Sequence, residues 1–479
     1  MQRRLLLQSL AGATLCGSAV GEAFPWGVAS GDPWPDGVVL WTRAATAGAV
    51  RWEVAEDEAF ARVVQKGSVK AEAVHAHAVH VTVRGLKAGR WYWYRFMAAA
   101  GKSDVGRTKT APGAGETPER LRIAYISCQK YEDGYFTALE HLAEEDVDLV
   151  LHLGDYIYEG ACGKNKVRTH PYPTAANLGD YRQRYELYKS DAALRKLHAR
   201  FPFAVIPDDH EVADDYAGLI PDWDSPADVF PQRRRDAYQA YWEHMPLRGA
   251  GPRGLEMPMF RTLRYGQLAH LHMLDTRQYR TDQPCGGKKA PNCPERERPE
   301  RTMLGLGQER WLEGQLRGGG QWNVMAQQVV FATLDLDPGP GESYPMDKWD
   351  GCPAARERLL AFLQAGRVAN PVVLTGDNHN NWVFDLRTKS GELVAAEFVG
   401  TSVTSNLDGA EVSEEYGSAL GAPHIKWHNS QRGYVVCELT PKRWTTRFRV
   451  VPYVTRLGSG VITKATFVIE AGRPGAVRT

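Results

Sequence analysis

Residues 147–159 read VDLVLHLGDYIYE, an apolar run that ends at Gly154 and gives way to Asp155, Tyr158 and Glu159. A short run rich in Val and Leu, closed by a glycine, predicts a strand buried on both faces, as in a parallel sheet. The same pattern recurs. Arg122-Ile123-Ala124-Tyr125-Ile126 leads into Ser127-Cys128-Gln129, and Phe203-Ala204-Val205-Ile206 leads into Asp208-Asp209-His210-Glu211. Pro371-Val372-Val373-Leu374 leads into Gly376-Asp377-Asn378-His379-Asn380. Trp322-Asn323-Val324-Met325 is a further strand, and residues 136–145 carry the spacing of an amphipathic helix. Strands alternating with helices define an α/β class. Open sheets of that class place their chemistry just beyond the strand ends, where these polar segments fall.

Each segment alone has an ordinary reading: Gly-Asp after a strand is a common turn, a strand-end cysteine a buried thiol, a loop histidine a hydrogen-bonding group. Their joint recurrence in one chain points elsewhere. Carboxylates gathered at the ends of buried strands repel one another unless cations neutralise them. Carboxylates suit hard ions such as calcium or manganese, whereas thiolate and phenolate favour a transition metal, ferric iron for phenolate. The expected centre is therefore a mixed metal cluster held by Cys128, Asp155, Tyr158, Asp209, Asp377 and His379.

At 479 residues the chain has room for two domains. Residues 24–110 read as short strands separated by turns, with Gly37-Val38-Val39-Leu40-Trp41-Thr42-Arg43 the plainest, and predict a small fibronectin- or immunoglobulin-like all-β sandwich. Leu86-Lys87-Ala88-Gly89 followed by Tyr92 has the form of a tyrosine corner. The expected division is an export signal at 1–23, the sandwich at 24–112, a linker at 113–120 and a catalytic domain at 121–479. Arg3 and Arg4 before the apolar run from Leu5 to Val20 indicate a twin-arginine leader, which hands the folded chain to export machinery; an ordinary secretory signal is the alternative. The expected location is periplasmic or extracellular. No later stretch is apolar and long enough to span a bilayer.

Lys and Arg number 58 against 57 Asp and Glu, a net charge of +1, which gives no basic face for a stable nucleic-acid partner. Among the 7 cysteines, Cys16 falls in the leader, and Cys285 and Cys293 flank a turn-rich loop suited to a local disulfide. Cys437 reads as a core thiol, while Cys162 and Cys352 could pair or stay free.

The GDxxY segment at Asp155 and Tyr158 and the GDNH segment at Asp377 and His379 resemble the metallophosphatase superfamily that includes purple acid phosphatases. The more specific resemblance is to the PhoD-type alkaline phosphatases and spans nearly the whole mature chain. It is carried by FPWGVASGDPWPDGVVLWTR at residues 24–43, SCQKYEDGYF at 127–136, HLGDYIYE at 152–159 and DDHEVADDY at 208–216. VLTGDNHNNW and the RGY at Arg432 to Tyr434 continue it. The resemblance implies a metallophosphatase-type β-sandwich flanked by helices. It implies Fe(3+) held by Cys128, Asp155, Tyr158 and His379 or Asp377, with one or two Ca(2+) bridged through Asp155, Asp209 and Asp377. His210 is the expected residue for positioning phosphate or protonating the leaving group, and Arg432 the expected phosphate clamp. Four positions depart from the pattern: Pro207 replaces a tryptophan, Asp214 and Asp215 replace asparagines, and Gln327 stands where the wider superfamily has a histidine ligand.

The implied reaction is phosphoester hydrolysis by metal-activated hydroxide, on a small phosphoester or a cell-wall phosphodiester. Loops at about 160–177 and 282–301 are the expected covers that would set monoester or diester preference. A secreted nuclease-like phosphodiesterase would share this site. A reading of a different kind is a non-catalytic module that binds cell-wall material or protein.

Overall fold

The computed structural model describes residues 23–221, 225–337, 341–413, 416 and 419–479. The expected export leader therefore lies outside the described residues up to Ala23. The strand Leu149–His152 lies near the middle of a ten-stranded sheet and is buried throughout. It pairs in parallel with Leu121–Ile126 on one side and Pro202–Val205 on the other. Gly433–Leu439, Arg443–Val450 and Ile462–Glu470 continue the sheet antiparallel beyond Leu121–Ile126.

The second large sheet has seven strands. Ala269–Met273, Trp322–Gln327, Pro371–Thr375 and Leu393–Val399 run parallel at its centre. Ile123, Val150 and Leu151 of the first sheet share one core with Leu271, Val324, Leu374 and Phe398 of the second. Within that core the Tyr125 hydroxyl donates to the Phe398 carbonyl at 2.9 Å, so the phenol is buried with its polar end satisfied. Helices Gly305–Arg317 and Pro353–Ala365 pack Leu312, Leu316, Leu360 and Leu363 with Met325, Val373 and Phe384 of the second sheet. The architecture is mixed α/β with large sheets and few helices, as the strand-and-helix pattern predicts.

The first part of the described chain is strand-built, as expected, with only the short 3-10 turn Ala73–His75 among its strands. The tyrosine corner is present: the Lys87 amide donates to the Tyr92 hydroxyl at 2.9 Å. A five-stranded sheet that includes Gly48–Ala55 and Trp91–Ala98 shares a core of Val38, Leu40, Val81, Tyr94 and Phe96 with Gly37–Arg43 and Ala78–Arg84. Those last two strands are not confined to the N-terminal region. With Val28–Trp34 they extend the ten-stranded sheet, because Ser30 and Gly31 pair in parallel with Pro202 and Phe203. Gly31 permits this approach: a Cβ there would stand 2.4 Å from the Pro246 carbonyl oxygen and 2.8 Å from that of Phe203. Arg261 secures the junction through two bonds to Asp32, at 2.9 and 2.7 Å.

Cys285 and Cys293 form the expected disulfide. Cys162 and Cys352, left open by the sequence, do not pair; both are free, and Cys437 is a free buried thiol in Gly433–Leu439. No helix among the described residues is long and apolar enough to cross a membrane.

Candidate metal centre

The polar segments that follow Leu121–Ile126, Leu149–His152, Pro202–Val205 and Pro371–Thr375 meet in one place. The first two are stitched by backbone bonds, Cys128 N to Gly154 O and Gln129 N to Asp155 O, both 3.1 Å. Glu211 ties the second to the third: its carboxylate accepts from the amides of Asp155 at 3.2 Å, of Asp208 at 2.8 Å, and of Tyr156 at 2.5 Å. Burial pushes the Glu211 carboxyl up to about 7 although those amides favour its ionised form. Glu211 is thus a brace, with its oxygens committed to backbone.

Two groups of ligand atoms share Asp155. Cys128, Asp155 and His379 form one, and Asp155, Asp208 and Asp209 the other, with atoms inside each group within 4.8 Å of one another. The Tyr158 hydroxyl joins the first, donating to Asp155 Oδ2 at 2.8 Å and lying 3.2 Å from His379 Nε2. Ser405 Oγ lies 2.7 Å from that phenol oxygen and 2.8 Å from the Cys128 carbonyl. Asp377 meets the second group through Arg277, which is 2.6 Å from Asp208, 3.4 Å from Asp209 and 3.6 Å from Asp377. Lys348 also bonds Asp377. The six expected ligands are therefore neighbours, and Asp208 adjoins them.

The electrostatics are those of a site short of positive charge. Burial raises the Asp155 carboxyl well above its ordinary value, and Asp209, Glu211 and Asp377 raise it further against the opposing His210. Burial likewise raises Asp208 despite Arg277. For Asp209, burial is outweighed by Arg277 and His210, and the carboxyl is lowered. Burial and Asp155 raise both the Cys128 thiol and the Tyr158 phenol, while burial and Arg432 hold His379 neutral. Asp155 Oδ1 and Asp208 Oδ2 are buried without a hydrogen-bond partner. Thiol, phenol and imidazole beside shared carboxylates form a donor set that fits a transition metal next to a hard divalent ion.

His210 stands beside this cluster. Its Nδ1 is 2.8 Å from Glu159, Nε2 is 3.5 Å from Asp214, and its ring lies 4.1 Å from that of Tyr158. Burial would lower its pKa, but Glu159, Asp209 and Asp155 raise it well above the usual histidine value. Glu159, at hydrogen-bond distance from Nδ1, is the largest of the groups that favour the protonated ring. Arg432 is placed differently from a phosphate clamp. Its guanidinium bonds the carbonyls of Leu407 and His379 and the Ser402 hydroxyl, so it is occupied in holding the loop that carries His379. Gln327 is likewise committed, to Val329 O, Thr375 and Trp349.

Sequence reasoning missed Arg277, Lys348, Glu211 and Ser405. Arg277 had the same signal as the ligands, since it follows the strand Ala269–Met273 in the segment Leu274-Asp275-Thr276-Arg277. Lys348 has no such strand before it and was not legible.

A family model described as PhoD-like phosphatase matches residues 123–448, and one described as PhoD-like phosphatase, N-terminal domain, matches residues 13–112. Alkaline phosphatase D of Bacillus subtilis (strain 168) is 44% identical over 477 residues, covering 94% of this chain and 82% of that protein. A solved structure described as "Structure of PhoD" superposes with a TM-score of 0.93 at 44% identity, covering 96% of this chain and 92% of that one. Large sheets that converge acid, thiol, phenol and imidazole groups on one centre belong here to a phosphoric ester hydrolase. The chain belongs to the PhoD-like phosphatase family. Membership in an enzyme family sets aside the reading as a non-catalytic binding module.

Proposed function

We propose that the chain is an exported, metal-dependent phosphoesterase acting on small phosphomonoesters or phosphodiesters. The observation that carries the reading is Asp155 shared between a thiol–imidazole–phenol group and a carboxylate group. Cys128, Asp155, Tyr158 and His379 would hold Fe(3+), and Asp155, Asp208, Asp209 and Asp377 one or two Ca(2+). Such cations, when bound, lower the pKa of water and neutralise charge on phosphoryl oxygens.

The chain's own groups have separable tasks. His210, hydrogen-bonded to Glu159, is placed to give a proton to a leaving alkoxide. Arg277 and Lys348 bring fixed positive charge to the same carboxylates, and Arg277, fully buried and bonded to Asp208 and Asp347, acts as a positioning residue for Asp208. Arg432 acts as a positioning residue, through the carbonyl of His379. Export draws support from Arg3-Arg4 before the apolar leader and from the Cys285–Cys293 disulfide, which needs an oxidising compartment.

The test is turnover of p-nitrophenyl phosphate, bis-p-nitrophenyl phosphate and single-stranded DNA by the same preparation. Saturable turnover of the small esters and none of DNA supports the reading; efficient DNA cleavage favours the nuclease alternative. The iron assignment has its own readout, since ferric phenolate colours a protein. A colourless, iron-free and fully active enzyme overturns it.

A further inference from the structure

Away from the cluster around Asp155, Glu132, Cys162 and His170 bring a carboxylate oxygen, a sulfur and an imidazole nitrogen within 4.8 Å of one another. Glu132 belongs to the 3-10 turn Tyr131–Asp133, while Cys162 and His170 belong to the segment between Glu159 and the helix Leu178–Lys189. The two segments are already held together by backbone, since the amides of Val167 and Arg168 donate to the Glu132 carbonyl at 2.9 and 3.2 Å. Their side chains are left incomplete. Glu132 is 1% exposed and His170 is 8% exposed, yet Glu132 Oε2 and both ring nitrogens of His170 have no hydrogen-bond partner. Glu132 Oε2 and His170 Nε2 stand 3.8 Å apart, within reach of an ion pair if His170 is protonated but beyond hydrogen-bond length. The nearby cations of the same segment are engaged elsewhere, Lys166 with Asp133 and Arg168 with Asp191.

We propose that Glu132, Cys162 and His170 form a second metal site, distinct from the centre around Asp155, that takes a zinc-class divalent ion. Thiolate, imidazole and carboxylate are the three ligand types that Zn²⁺ accepts, and three protein ligands leave a fourth position for water. One ion would satisfy orphaned atoms from both segments at once and neutralise the thiolate and carboxylate together. Its structural effect is a clip that fastens the loop after Glu159 to the turn after Lys130. The inference does not depend on the phosphoesterase reading or on which metals Asp155 holds.

Thiol labelling of the full exported enzyme tests it. Cys128, Cys352 and Cys437 are buried and Cys285 is bonded to Cys293, which makes Cys162 the accessible free thiol among the described residues. The protein is stripped with chelator, then labelled with and without equimolar Zn²⁺, and the Cys162 peptide is read by mass spectrometry. Zinc is expected to abolish Cys162 labelling in the wild type and to leave it unchanged in His170→Ala. Glu132→Gln, nearly isosteric, is expected to lose protection in the same way and serves if His170→Ala does not fold. Equal labelling with and without zinc in the wild type overturns the site. Protection that persists in both variants overturns it as well.

Discussion

At Cys128, Asp155, Asp377 and His379 the backbone takes left-handed φ values of 58°, 56°, 58° and 56°. Non-glycine residues held there cost on the order of 1–3 kcal/mol each, and such strain gathers at sites where side-chain direction matters more than local stability. Those four residues were legible because each lies just past an apolar run. Arg277 carried the same signal unread, and Glu211 was legible as a polar residue but not as a brace, since its amide partners at Asp155 and Tyr156 are remote in sequence. His210 affords the sharpest prediction at this scale. His210→Gln keeps a hydrogen-bonding side chain near Glu159 but removes the proton to be donated. We expect kcat to fall by about 10²–10⁴ with little change in KM, as for loss of a general acid. An unchanged kcat in steady-state assays of an ester with a poor leaving group would remove His210 from that role.

Elements were legible in kind and less so in extent. The strand read over residues 147–153 is regular over Leu149–His152, and the amides of Asp148 and Leu153 just outside it still donate to the Arg122 and Ile126 carbonyls at 2.8 and 2.9 Å. The helix read over 136–145 is regular only at Thr137–Leu142. Beyond it Glu144 and Glu145 donate to His141 and Leu142, three residues back, so the last turn is of the tighter 3-10 kind. What no strand pattern announces is how closely the strand-end loops approach. Gly154 has φ +103°, and a Cβ there would sit 2.3 Å from Asp208 Cβ. Gly154→Ala is expected to lower stability by about 1–3 kcal/mol through overpacking and backbone strain. It should also weaken calcium binding by moving Asp208. Urea unfolding and calcium titration of the variant check both parts; wild-type values for each would show that the two loops are not in contact.

Across the whole molecule, the strand content of the N-terminal region was legible, but not that its strands Val28–Trp34, Gly37–Arg43 and Ala78–Arg84 continue the central sheet. The link is one short parallel pairing at Ser30 and Gly31, and hydrophobic periodicity carries no information about which strand lies beside which. Removing residues 24–112 would bare Pro202–Val205 as a sheet edge just before the Asp208 loop. The truncated chain is expected to be insoluble or inactive, and a soluble, fully active product would contradict this. Acid provides another test of the folded whole. Burial holds His152 and His272 neutral, lowered to about 3, against about 6.5 in the unfolded chain. Below about 6.5 the unfolded state binds the extra proton. Their stabilisation is therefore complete above that value and lost as pH falls towards about 3. In that window His272→Gln should lose stability less steeply than wild type, by about 1.4 kcal/mol per pH unit; parallel slopes in denaturant unfolding would refute the assignment. The central proposal, that these sheets assemble a metal-dependent phosphoesterase, is tested by stripping the enzyme with chelator, measuring its metal content, and following p-nitrophenyl phosphate turnover as calcium and iron are restored. Activity that vanishes with the metals and returns with them is the expected result. Full turnover by protein shown by elemental analysis to be metal-free would contradict it.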